Sequence, residues 1–184
     1  MFRESEFELA ARQLEYQLSS VSRPTVRIVE VQGSREFEFE VEGFDPRPPP
    51  RGTIVVSGFA PNGSRLNATQ RAILDRVARN VVAEMPRQHP VMTVIIDAEG
   101  HEDETGDPGQ FRRLGVERSR AAARHLQTRL LALMSRMPAA NKRLVIIQVQ
   151  TAGPNRPIRS NVTAAGRAQN RRVEIRVRFE NRTI

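Results

Sequence analysis

Gly166-Arg167-Ala168-Gln169-Asn170-Arg171-Arg172-Val173-Glu174, close to the C-terminal end, is the most informative segment of the chain. It leads from a short helical segment into a run, Arg171 to Phe179, in which Val173, Ile175, Val177 and Phe179 alternate with polar and charged residues. A period of two places those four apolar side chains on one face of a strand, and that face needs a layer of helices to cover it. Asn161 and Thr163 stand where they cap the short helix that precedes the strand.

Upstream, Val91 to Ala98 is an apolar run, the mark of a strand buried on both faces, and Gly100, His101 and Asp103 close it. Arg118 follows in a long helical segment, 115–136, with Ala121, Ala122, Leu126, Leu130, Leu133 and Met134 available for burial. Gly115 is its expected N-cap, which places Arg118 in the first turn, where free N–H groups attract an anion. Leu144 to Val149 reads as a third strand, and Thr53 to Phe59 as a short β-branched one. Asn67 and Gln70 have capping-box spacing ahead of an apolar helix face of Leu74, Val77, Ala78, Val81 and Met85. The order is strand, helix, strand, helix, strand, short helix, strand. It predicts an α/β two-layer sandwich, a mixed four-stranded sheet with helices on one face.

The N-terminal part has a different character. Residues 5–20 read as a helix with Phe7, Ala11, Leu14 and Leu18 on one face, and Thr25 to Val31 and Arg35 to Val41 read as a β-hairpin turning at Gln32-Gly33-Ser34. The proline run Asp45-Pro46-Arg47-Pro48-Pro49-Pro50 then forbids regular structure. The expected division is 1–44, an N-terminal helix and hairpin extension; 45–52, a stiff linker; and 53–184, the main domain. The apolar stripe of the extension is too narrow for a core of its own, so residues 1–44 are expected to pack on the main domain or on a protein partner.

The chain has 184 residues and a net charge of +8, unevenly spread: residues 1–52 carry seven arginines against ten acids, whereas the remainder is strongly basic. The asymmetry predicts an acidic extension on a basic domain. No apolar run is long enough to cross a bilayer, and Glu4, Glu6, Glu8 and Glu15 occupy the place of a signal-peptide core, so neither membrane insertion nor a secretion signal is expected. The absence of cysteine excludes disulfides and thiolate chemistry.

Asp97, Glu99, His101, Glu102, Asp103 and Glu104 form a dense acidic group, and strand alternation would put Asp97, Glu99, His101 and Asp103 on one side, as metal ligands often are. However, the three histidines are scattered, and there is no H-E-x-x-H spacing, nucleophile motif or glycine-rich phosphate loop. No catalysis, metal or other cofactor is expected. The basic region with Arg156, Arg159, Arg167, Arg171, Arg172, Arg176 and Arg178 has no aromatic platform to stack bases, the whole chain holding one Tyr and no Trp, so no nucleic acid is expected either.

The two blocks together resemble the OmpA-like domain, the peptidoglycan-binding module of OmpA, Pal and MotB. In that family the first block reads G-H-T-D followed by N-x-x-L-S-x-x-R-A, and the second reads N-x-T-x-x-G-R-A-x-N-R-R-V-E. Asn161, Thr163, Gly166, Arg167, Asn170, Arg171 and Arg172 match the second block, and the resemblance spans about residues 53–179. It implies a non-catalytic module whose ligand is the diaminopimelate end of a peptidoglycan stem peptide, a carbon bearing both an ammonium and a carboxylate. By motif position Asp103 accepts the ammonium and Arg118 offers its planar fork to the carboxylate, with Gly100, His101 and Arg167 around them. The resemblance also implies a cell-envelope or periplasmic location and the tethering of an envelope assembly to the cell wall. A scaffold subunit of a larger envelope or contractile injection machine, with altered peptidoglycan binding, is the alternative. Glu102 stands where the family has Thr, Phe111 where it has Asn, Gly115 where it has Ser, and Ser119 where it has Ala.

Overall fold

The structure is a computed structural model that describes residues 25–30, 49–89, 91–104 and 111–181. The expected helix over 5–20 and the second hairpin run, 35–41, lie outside the described residues. Among the described residues five strands make one mixed sheet: β1 (Val26–Glu30), β2 (Ile54–Ser57), β3 (Met92–His101), β4 (Val145–Gly153) and β5 (Arg172–Asn181), in the order β1-β4-β3-β5-β2. The α-helices of the described residues are α1 (Ala68–Glu84), α2 (Phe111–Met134) and α3 (Ala164–Asn170).

The two-layer α/β architecture agrees with the sequence, but the sheet has five strands where four were expected. The additional strand is β1, the first half of the expected hairpin, which pairs in parallel with β4 from Val26 opposite Val145 to Glu30 opposite Val149. The physical reason is edge protection, since β4 would otherwise present an unpaired row of N–H and C=O groups beside a fully apolar core. Helix α2 secures β1: Gln127 Nε2 donates to the Val26 carbonyl at 3.0 Å, and Arg120 pairs with Glu30.

The core lies between the sheet and the helices. Val94, Ile96 and Ala98 of β3, Val145 and Ile147 of β4, and Val173 and Ile175 of β5 meet Leu74, Val77 and Val81 of α1 and Ala122, Leu126, Leu130 and Met134 of α2. The helical residues recur at spacings of three and four, the single apolar face of an amphipathic helix. The C-terminal strand sits inside the sheet, antiparallel to both β3 and β2, as its alternation requires. The capping box at the start of α1 is present, with Gln70 N–H donating to Asn67 Oδ1 at 2.9 Å and Asn67 N–H to Gln70 Oε1 at 2.8 Å.

Helix α2 begins at Phe111, four residues before the expected start, so Gly115 is not its N-cap and Arg118 is not in its first turn. Gly115 is glycine for a different reason. A Cβ there would lie 2.2 Å from Thr151 Oγ1, and one on Gly100 would lie 1.9 Å from the Gly115 carbonyl oxygen. The two glycines let α2 run against the ends of β3 and β4, and this contact delivers Arg118 to the end of the sheet.

Candidate ligand-binding site

Beyond the end of β3, Glu102 and Asp103 continue the chain under the loop that leaves β2. That loop, Phe59-Ala60-Pro61-Asn62-Gly63, turns with Asn62 at φ +54°, a conformation that asparagine tolerates better than most residues. Arg118 enters from α2 and is 1% exposed. Its Nε donates to the Gly63 carbonyl at 2.9 Å, Nη1 to the His101 carbonyl at 3.2 Å and Nη2 to the Ala60 carbonyl at 3.4 Å, with the guanidinium 5.6 Å from the centroid of the Phe59 ring. All its direct partners among the described residues are carbonyls and a ring; none is a carboxylate. Burial lowers its pKa, the nearby charge of Arg171 adds to that, and the charges of Glu102 and Asp103 oppose it.

Asp103 is also buried, but its ion pair is with Arg171, whose Nη1 donates to Oδ2 at 2.5 Å while Nε donates to the Phe59 carbonyl at 2.8 Å. Glu102 turns away from Asp103 towards α2, where one carboxylate oxygen accepts the Gly115 N–H at 2.5 Å. Burial raises Glu102 to about 7, despite that hydrogen bond and the nearby Arg118.

The structure therefore brings Asp103 and Arg118 into one buried region and distributes the other expected site residues differently. Gly100 serves the close approach of β3 and α2. His101 contributes its carbonyl to Arg118, while its ring lies beside Glu174 of β5, on the sheet face opposite the core. Arg167 donates to the carbonyls of Asn161 and Val162 and holds the loop before α3. Asn170 ties that loop further, accepting from the Ile158 and Arg159 N–H groups and donating to the Arg159 carbonyl and Asn161 Oδ1. Thr163 is the N-cap of α3, its hydroxyl accepting from the Gly166 N–H, whereas Asn161 is held by Asn170 and does not cap the helix.

Arg171 of the second block supports the site, paired with Asp103 and the Phe59 carbonyl. The carbonyls of Ala60 and Gly63 carry no sequence signal of their own; the Pro61-Asn62-Gly63 turn was the available hint that backbone is exposed to a neighbour there.

Together the fold and the placement of both motif blocks define an OmpA-like domain, and the chain belongs to that family. It is 31% identical over 172 residues, 94% of this chain and 87% of the relative, to the outer-membrane lipoprotein YfiB of Pseudomonas aeruginosa. Among solved structures it is similar to the peptidoglycan-associated lipoprotein from Burkholderia pseudomallei, at 22% identity over 67% of this chain and 89% of that one with a TM-score of 0.49. It is also similar to the C-terminal domain of Helicobacter pylori MotB, at 20% identity over 77% and 88% with a TM-score of 0.46. No protein-family model matches the chain.

Proposed function

We propose that this protein binds peptidoglycan without catalysis, through the diaminopimelate end of the stem peptide, and so tethers an envelope assembly to the cell wall. The observation that carries this reading is the state of Arg118, a buried guanidinium hydrogen-bonded only to carbonyls among the described residues, beside a carboxylate already fixed in place. A buried cation is costly unless an anion meets it, and a ligand carboxylate supplies that anion. Arg171 occupies Oδ2 of Asp103, and Oδ1, which has no donor among the described residues, accepts a ligand ammonium. The arrangement suits recognition of a zwitterion better than chemistry, because a guanidinium has no proton to exchange near neutral pH. Family membership supports the peptidoglycan class of ligand, and the name of the relative, an outer-membrane lipoprotein, supports an envelope location. Among the described residues no helix is long and apolar enough to cross a membrane.

Co-sedimentation with purified diaminopimelate-type sacculi tests the reading. Wild-type protein should pellet with sacculi and be released by free diaminopimelate, while Asp103→Ala and Arg118→Ala, shown folded by circular dichroism, should remain in the supernatant. Wild-type protein that ignores sacculi would leave the domain as a scaffold within a larger assembly.

A further inference from the structure

On the sheet face opposite the core, Glu99 and His101 of β3 meet Glu174 of β5, and one donor atom from each lies within 4.8 Å of the other two. Glu99 and Glu174 are paired in register across the two strands, an arrangement in which like charges repel. All three residues are buried, at 6%, 1% and 4% exposure. Among the described residues neither ring nitrogen of His101 has a hydrogen-bond partner, and Nε2 lies 3.4 Å from Glu174 Oε1. A buried imidazole with both nitrogens unmatched is uncommon in a folded protein. Burial, reinforced by Arg172, Arg156 and Arg176, lowers its pKa to about 2, so its lone pair is available at neutral pH.

The surrounding arginines decide whether a cation is admissible. Arg172 is fixed: it is 1% exposed, and its Nε and Nη2 reach Glu174 Oε1 at 2.7 and 2.6 Å. Arg156 and Arg176 approach Glu99 at 3.2 and 3.7 Å, and their side chains are 51% and 38% exposed. Ion pairs made by such exposed side chains are weak, so both can turn into solvent at small cost. Two carboxylates then face one fixed guanidinium, with the uncharged imidazole beside them, and the balance is negative.

We propose that Glu99, His101 and Glu174 bind a divalent transition-metal ion of the zinc class. One imidazole nitrogen and two carboxylate oxygens are the mixed donor set that such ions accept. The proposal does not depend on peptidoglycan binding, although His101 joins the two sites: its ring faces the metal site and its carbonyl holds Arg118.

Tag-free, chelator-treated protein titrated calorimetrically with zinc chloride tests the proposal, with cobalt chloride absorption as a second readout of nitrogen and oxygen ligation. Wild type and His125→Gln, which alters a histidine on the helices, should each bind one equivalent. His101→Gln and Glu99→Gln should each weaken binding by more than about tenfold. Should His101→Gln fail to fold, Glu99→Gln and the cobalt spectrum decide the question. Absence of zinc binding by folded wild type, or binding that survives in the folded variants, overturns the proposal.

Discussion

Arg171 donates to the Asp103 carboxylate at 2.5 Å across 68 positions of sequence, so the ion pair inside the site is Asp103–Arg171 and not Asp103–Arg118. One guanidinium fixes the carboxylate, and the other has carbonyls but no carboxylate in direct contact among the described residues.

From this pairing, Arg171→Ala should destabilise the protein by about 3 to 5 kcal/mol, because it strands a buried carboxylate and frees the Phe59 carbonyl. Asp103→Asn in the same background should recover part of the loss, since a neutral amide is easier to bury. Urea unfolding of the single and double variants measures both effects, and additive losses would argue against the pair.

The contact between α2 and the end of the sheet should be intolerant of even one methyl group. Gly100→Ala drives a Cβ to 1.9 Å from backbone oxygen, which cannot swing aside, and should cost more than about 3 kcal/mol or prevent folding. Gly115→Ala overlaps a side-chain hydroxyl at 2.2 Å, so Thr151→Ala should partly rescue it. Melting temperatures of the three proteins check the ranking.

The pH dependence of stability should carry the mark of Glu102, whose folded pKa of about 7 lies above its ordinary 4.5. Between those values the native state holds the proton that the unfolded chain releases, so this group makes the fold less stable as pH rises from 4.5 to 7. His101 acts in the opposite sense: its pKa falls from 6.5 to about 2, so its contribution rises with pH across that range. Comparison with Glu102→Gln in chelator-containing buffer separates the two. The stability difference should move in favour of the variant from pH 4.5 to 7 and level off above. A difference independent of pH would show that Glu102 ionises as an ordinary exposed carboxylate.

The strands and helices of the main domain were legible because their apolar residues repeat with the right periods. Val173, Ile175, Val177 and Phe179 announced β5, and Asn67 with Gln70 announced the start of α1. Pairing across the sheet is a tertiary matter, so β1 was legible as a strand while its parallel pairing with β4 was not; its expected hairpin partner, 35–41, lies outside the described residues. Gly115 misled because a glycine before an amphipathic run signals both a helix boundary and a close approach, and only the position of Thr151 distinguishes them. Asp103 and Arg118 were found by motif, whereas the division of labour between Arg118 and Arg171 depends on which guanidinium reaches Oδ2.

The proposed recognition of peptidoglycan turns on the buried Arg118 cation receiving a ligand carboxylate. The most direct measurement is calorimetric titration of wild-type protein with two stem peptides that differ only at the terminal side chain. One carries diaminopimelate with its free carboxylate, and the other carries lysine, which keeps the ammonium and lacks that carboxylate. Losing the carboxylate should cost roughly 2 to 5 kcal/mol, a weakening of about thirtyfold or more. Equal affinity for the two peptides would contradict it.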